Sequence, residues 1–119
     1  MTKIEKLNFI AEVELSKKFI TECTIPTATI QSSSRVYRTS FGYKHDAESY
    51  FGTYISNDAF IKAADDLGVR SKPTDSGKNR FFAMKLNEKK YQFEIENNER
   101  HGKFMPAFDR LQFINNKTL

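Results

Sequence analysis

Tryptophan is absent from this 119-residue chain, cysteine occurs once, and long apolar runs are missing. The single Cys23 excludes an internal disulfide, so we expect a small buried apolar side chain there and a cytoplasmic protein. A bilayer span needs about 20 consecutive apolar residues, and the first residues also lack the hydrophobic stretch of a secretory signal. We therefore expect no membrane partner.

What the chain does contain is typical of a folded core. Hydrophobic residues make up 39% of the sequence and include eleven phenylalanines and five tyrosines, which excludes the composition of a disordered chain. A chain of this length forms one domain on ordinary grounds and buries roughly two thirds of its unfolded surface. We predict a single α+β domain over residues 1–119, with antiparallel strands or hairpins and two short central helices.

Residues 7–45 are predicted to form short strands. Apolar and polar side chains alternate from residue 7 to residue 15, which favours a half-buried strand, although the lysines and glutamates nearby also suit a helix. Further strands are predicted over residues 19–23, 27–30 and 37–44, with polar serines between the last two.

The clearest local signal covers residues 46–67, which we interpret as a pair of helices. Ser56 or Asn57 can cap the second helix, and Gly68 can end it in the left-handed conformation of a Schellman motif. Apolar residues recur at helical spacing in both helices. They are Ala47, Tyr50, Phe51 and Tyr54, after a possible Asp46 cap, and then Phe60, Ile61, Ala64 and Leu67.

A basic turn and a hairpin are predicted over residues 68–96. The turn-rich basic segment leads into a strand over residues 81–86, and a polar turn at 87–90 precedes an alternating strand at 91–96. The tail, residues 97–119, is expected to pack back onto the domain through its apolar side chains. These are Phe104, Phe108, Leu111 and Phe113.

Positive charge is concentrated in the same region. The whole chain carries a formal charge of +4, whereas residues 67–90 alone hold seven basic side chains against Asp75 and Glu88. Basic side chains beside aromatic rings are typical of nucleic-acid contacts, although exposed turns of any protein are also often basic. The basic residues of this block are Arg70, Lys72, Lys78, Arg80, Lys85, Lys89 and Lys90.

The order of helix, helix, basic turn and strand over residues 46–86 resembles the winged helix-turn-helix module at the C-terminal end of some phage and plasmid primase-helicase proteins. The likeness lies in residues 54–57, Phe60, Leu67 and Gly68, and the basic segment that closes on residues 80–82. The resemblance implies a second helix near the major groove and a hairpin, or wing, against the backbone or minor groove.

The second helix departs from that pattern in its charge. Its face opposite Phe60 carries Asp58, Lys62, Asp65 and Asp66. Duplex DNA carries one negative charge per roughly 1.7 Å of its axis, so a net acidic helix meets repulsion there. If DNA binds, the wing must therefore lead.

The predicted phosphate contacts are Arg70, Lys72, Lys78 and Arg80, and their predicted extension is Lys85, Lys89, Lys90, Arg35 and Arg38. Arg35 and Arg38 equally suit cross-strand packing. Asn57 and Lys62 are the only helix residues considered for base edges, with a helix cap and a solvated lysine as the alternatives.

Three enzyme patterns were weighed and disfavoured. Arg35, Thr39-Ser40 and the Glu94/Glu96 pair resemble the residue order of ADP-ribosyltransferases, but Arg35 and Thr39 lie too close in sequence. Asp75 with Glu88 and the following lysines has the residue types of a metal-dependent nuclease, but in a turn rather than on rigid strands. His45 and His101 lack partners at metal-ligand spacing. We therefore expect a non-enzymatic protein without cofactors or metal.

Two functions of different classes fit these features. The first is a nucleic-acid-binding module, with DNA favoured over RNA, whose basic wing contacts phosphates. The second is a small phage or mobile-element inhibitor, such as an anti-CRISPR protein, that covers the surface of a charged protein partner.

Overall fold

The computed structural model describes residues 1–32, 38–97 and 105–117. In these ranges five helices and two small antiparallel sheets form one compact domain, which confirms the predicted α+β class. The helices are α1 (Lys3–Cys23), α2 (Ser40–Phe51), α3 (Asn57–Asp66), α4 (Glu88–Asn97) and α5 (Ala107–Lys117). The strands are β1 (Thr24–Pro26), β2 (Ser71–Pro73), β3 (Arg80–Phe82) and β4 (Met84–Leu86).

The strands predicted over residues 7–45 are wrong, because α1 occupies most of this segment. Thr2 and Glu5 form a capping box, in which the Thr2 hydroxyl accepts from the Glu5 N–H at 3.1 Å. The helix packs against α2, α3, α4 and α5, so its buried residues surround much of its circumference and leave no single apolar stripe. Apolar positions spread in this way mimic the alternation of a strand.

The rest of that segment also differs from the prediction. The strand there is β1, which begins at Thr24 where α1 ends, and residues 27–30 form none. The predicted strand at 37–44 is replaced from Ser40 onward by α2, and Tyr37 lies outside the described residues.

The predicted helix pair is confirmed, with corrections to its bounds. The Ser56 hydroxyl accepts from the Ala59 N–H at 3.2 Å and caps α3. At the other end, Gly68 has φ +76° and the Val69 N–H bonds back to the Ala64 carbonyl at 3.0 Å, which is the Schellman pattern. Leu67, predicted on the buried stripe, is instead exposed.

Helix α2 starts six residues before the predicted Asp46 cap. Thr39 occupies the N-cap position, and Asp46 lies within the helix. Gly52, with φ +68°, ends the helix in the left-handed conformation. Tyr54 therefore lies in the connection to α3 rather than on the helical stripe, and its side chain is exposed.

Residues 80–96 also depart from the predicted hairpin. Ala83 separates β3, which pairs with β2, from β4, which pairs with β1. The predicted polar turn and alternating strand form α4, whose first turn is stabilised by Asn87 accepting from the Lys90 N–H at 3.3 Å. Tyr91 and Ile95 pack on the core at i and i+4, whereas Phe93 between them is exposed.

The core is organised around four buried rings from four elements, which we call the interior ring cluster: Phe19, Tyr43, Phe60 and Phe82. The Phe60 ring centroid lies 6.2, 6.0 and 5.8 Å from those of Phe19, Tyr43 and Phe82. These separations are typical of favourable aromatic pairs. The cluster joins α1, α2, α3 and β3, and so fixes the position of the β2–β3 hairpin relative to the helix pair.

Two contacts attach α3 and α5 to α1. The Ser56 N–H, at the start of α3, donates to the buried Glu12 carboxylate at 2.6 Å. The Phe108 N–H, near the start of α5, donates to the Asn8 side chain at 3.0 Å. The tail therefore packs against α1, while Phe104 lies outside the described residues.

Candidate nucleic-acid interface

The β2–β3 hairpin is a short, well-formed element. Its register places Lys72 opposite Phe81 and Pro73 opposite Arg80. The turn between the strands is closed by the Thr74 N–H, which donates to the Asn79 carbonyl at 2.9 Å. Gly77 lies at φ +75°, a conformation that glycine adopts without strain. The turn presents its basic side chains from an ordered backbone.

Side chains at the start of α2 and α3 tether this hairpin. The Asn57 amide nitrogen donates to the Lys78 carbonyl and to the Asn79 side-chain oxygen, both at 3.0 Å. The Arg80 N–H donates to the buried Ser40 hydroxyl at 3.1 Å. Thr39, just before α2, forms an antiparallel bridge with Phe81. The N-terminal ends of two helices and the basic turn therefore meet on one side of the molecule.

The hairpin holds three of the predicted phosphate contacts. Lys72 on β2 and Lys78 in the turn are exposed. Arg80 is half-buried, and its Nε donates to the Ser71 hydroxyl at 2.7 Å. Lys72 and Lys78 are thus the cations that this hairpin offers most openly, whereas Arg80 is partly engaged in holding the strand pair together.

The other predicted basic contacts lie on separate elements. Arg70 precedes β2, and its guanidinium donates to the Ala28 carbonyl. Lys85 lies on β4 opposite Ile25, in the second sheet. The last two residues, Lys89 and Lys90, lie in the first turn of α4 and are exposed. The structure therefore divides the basic block between the hairpin, the β1–β4 sheet and α4.

The two arginines upstream have different outcomes. Arg38 forms an ion pair with Asp46, with 2.7 Å between Nε and Oδ2. Burial raises the pKa of the Asp46 carboxyl, and the Arg38 guanidinium opposes that rise. Arg38 therefore neutralises a half-buried acid, and Arg35 lies outside the described residues.

The two side chains considered for base edges are both engaged within the protein. Asn57 holds the hairpin turn. Lys62 is exposed and pairs with Asp66 at 3.3 Å, and Lys17 from α1 pairs with the same carboxylate at 3.3 Å. These contacts lower the pKa of Asp66, with the Lys17 hydrogen bond as the main cause. The acidic face of α3 is thus partly neutralised at its C-terminal end, while Asp58 and Asp65 remain exposed.

The structure also reveals two exposed rings that sequence reasoning had placed elsewhere. Phe41 is 51% exposed in the first turn of α2, and Tyr54 is 55% exposed in the connection to α3. The Lys44 ammonium lies 5.2 Å from the Phe41 centroid and 5.1 Å from the Tyr54 centroid. We call Phe41 and Tyr54 the surface ring pair. Recognising Gly52 as a helix stop would have been the sequence signal that Tyr54 leaves the stripe.

The residues of the disfavoured enzyme patterns occupy unrelated places. Ser40 is buried against Arg80, and Glu94 and Glu96 lie on α4 rather than on a strand. Asp75 is in the hairpin turn, and His45 pairs with Glu48 at 2.7 Å. His101 lies outside the described ranges, and within those ranges no group of three or more His, Cys, Asp or Glu side chains is placed to hold a metal ion.

None of the described helices combines the length and the apolar character that crossing a membrane requires. Comparison with protein-family models, with curated proteins and with solved structures finds no match to this chain. The functional argument therefore depends on the geometry of the hairpin and the helix pair.

Proposed function

We propose that this chain is a non-enzymatic nucleic-acid-binding module in which the β2–β3 hairpin acts as a wing against the phosphate backbone. The observation that carries the proposal is the set of tethers from Asn57 and Ser40, which hold the basic turn beside the N-terminal ends of α3 and α2. Helix N-termini carry partial positive charge and favour phosphate, so turn and helix ends present charge of one sign.

The order of the elements supports the same proposal. The bridge at Thr39 precedes α2, and α3, β2 and β3 follow, with β3 lying between the bridge residue and β2. This is the order in which a winged helix-turn-helix arranges a short strand, two helices and a wing. The sequence resemblance over residues 46–86 and the element order thus favour the same module.

The charge of α3 decides how such a module would approach its ligand. Asp58 and Asp65 are exposed on α3, and Lys62 is paired with Asp66. A major-groove approach led by this helix would bring carboxylates toward phosphates. We therefore propose contact through Lys72 and Lys78 of the wing, with α3 held away from the groove floor.

Fluorescence anisotropy over a salt series tests the proposal with labelled single- and double-stranded DNA and RNA. The double variant Lys72→Ala/Lys78→Ala removes the two exposed wing cations. Each lost phosphate contact lowers the salt slope on duplex DNA by about 0.9, so we expect a slope smaller by about 1.8 and weaker binding.

The matched control is Lys89→Ala/Lys90→Ala, which removes the same charge from α4. We expect a smaller loss of affinity than in the wing variant. Equal losses in both variants would contradict a wing-led contact, and absence of binding to every nucleic acid at low salt would contradict the proposed function itself.

A charged protein partner is the second candidate, and the division of charge on this side of the molecule favours it. Asp58 lies in the first turn of α3, directly after the asparagine that holds the basic turn. Adjacent surfaces of opposite sign suit electrostatic docking of a protein. A partner recovered by pull-down that loses affinity in Asp58→Asn, together with no nucleic-acid binding, would establish this alternative.

A further inference from the structure

Phe41 and Tyr54 differ from the other rings near the hairpin because about half of each side chain is accessible. Phe41 is 51% exposed and Tyr54 is 55% exposed, whereas the nearby rings of Tyr43 and Phe82 are buried. Large exposed aromatic side chains contribute little to a fold and are enriched where proteins bind ligands. Their position therefore calls for a functional explanation.

Lys44 holds the two rings in place. Its ammonium lies within cation–π distance of both, at 5.2 Å from Phe41 and 5.1 Å from Tyr54. Lys44 is itself only 6% exposed, and Glu48 pairs with it at 3.6 Å. A buried, paired lysine restricts the motion of the rings that contact it. Binding a ligand on their accessible surfaces then loses less conformational entropy.

The surface ring pair is attached to the wing at two points. Phe41 directly follows Ser40, whose hydroxyl accepts from the Arg80 N–H. Tyr54 lies three residues before Asn57, whose side chain holds the Lys78 and Asn79 positions of the turn. The rings and the wing cations therefore flank the same N-terminal ends of α2 and α3.

We propose that Phe41 and Tyr54 form a stacking site for the unpaired bases of a single-stranded nucleic acid whose phosphates contact the wing. This inference rests on the proposed nucleic-acid function and specifies its ligand as single-stranded. A base in a duplex has both faces covered by its neighbours, whereas an unpaired base offers a π face to an aromatic side chain. Positive charge beside aromatic rings is the combination that non-specific single-strand binding uses.

The test measures the affinity of the full chain for a labelled single-stranded DNA and for the matching duplex by anisotropy. An oligonucleotide carrying 2-aminopurine, whose fluorescence falls when the base stacks, reports the contact directly. Phe41→Leu and Tyr54→Leu keep apolar side chains at both positions and remove the rings. We expect each variant to weaken single-strand binding by about 5- to 100-fold and to reduce the 2-aminopurine quenching, with duplex affinity unchanged.

The control is Phe93→Leu, which removes an exposed ring from α4 and should leave single-strand affinity unchanged. Single-strand affinity and quenching that persist in both Phe41→Leu and Tyr54→Leu would overturn the stacking site. If duplex and single strand still bind with a salt slope that depends on Lys72 and Lys78, the wing proposal survives that result. If no nucleic acid binds the unaltered protein at low salt, both proposals fail.

Discussion

The interior ring cluster and the surface ring pair use the same residue types for opposite purposes. Tyr43 and Phe41 lie two residues apart on α2, yet Tyr43 is buried and Phe41 is half exposed. The interior rings come from α1, α2, α3 and β3 and contact one another. The surface rings contact Lys44, and Phe41 also contacts His45.

The difference shows that the fold and the proposed binding surface are energetically separable. Removing an interior ring creates a cavity between four elements, whereas removing a surface ring uncovers part of a lysine. Variants of the two sets should therefore divide into those that change the free energy of unfolding and those that change ligand affinity alone.

The largest expected effect is that of Phe60→Ala. Phe60 is fully buried and its ring pairs with Phe19, Tyr43 and Phe82. Loss of a buried phenylalanine side chain costs about 3–5 kcal/mol through lost burial and a residual cavity. Urea unfolding followed by circular dichroism measures the change.

Phe41→Ala is the matched control, since it removes the same atoms from the surface. We expect the free energy of unfolding to change by no more than about 0.5 kcal/mol. Comparable losses in the two variants would show that the surface ring belongs to the core and would end the comparison.

Glu12→Ala should have the next largest effect. The Glu12 carboxylate is buried and accepts from the Ser56 N–H at 2.6 Å, at the positive end of α3. Hydrogen bonds to charged groups contribute about 1.5–3 kcal/mol, so we expect a loss of that size on urea unfolding. Glu14→Ala removes an exposed carboxylate two residues away and should cost less than about 0.5 kcal/mol.

The core helices show which parts of the fold the sequence could predict. Helix α3 was predictable because the Ser56 cap, the Gly68 stop and a one-sided apolar stripe agree with one another. Helix α1 was not, because several neighbours bury it and its apolar residues follow no single stripe. In α4, Phe93 completes an alternating pattern with Tyr91 and Ile95 although only those two face the core.

The candidate interface was predictable in composition but not in assembly. The basic character of Lys72 and Lys78 follows from the sequence, and both prove to be exposed. The tether from Asn57 to the turn joins residues 21 and 22 positions apart, and such long-range side-chain contacts have no local signature. Phe41 was misplaced because the start of α2 was predicted six residues too late.

Alkaline pH should destabilise the protein through its interior groups. Burial raises the pKa of the Cys23 thiol from 9.0 to about 11 and that of Tyr43 from 10.0 to about 12. Between these values the unfolded chain loses protons that the folded chain keeps, so stability falls as pH rises from 9 toward 12. For Cys23 alone the loss is on the order of 2 kcal/mol, and Cys23→Ala should flatten the decline measured by urea unfolding at each pH. An equally steep decline in that variant would assign the effect to other groups.

Asn57→Ala should have the smallest effect on stability and the most local one. The variant removes two hydrogen bonds to the turn, each worth about 1 kcal/mol at most in a partly exposed site, and leaves the interior ring cluster intact. Amide hydrogen exchange should therefore quicken about fivefold at Thr74 and Arg80, whose N–H groups bond within the hairpin and to Ser40, and remain unchanged at Tyr91 in α4. Lys62→Ala, on the same helix, should leave the hairpin amides as they are. Exchange that is unaltered in Asn57→Ala would mean that strand pairing alone positions the wing, whereas quickening at Tyr91 as well would mean that wing and core open together and are not separable.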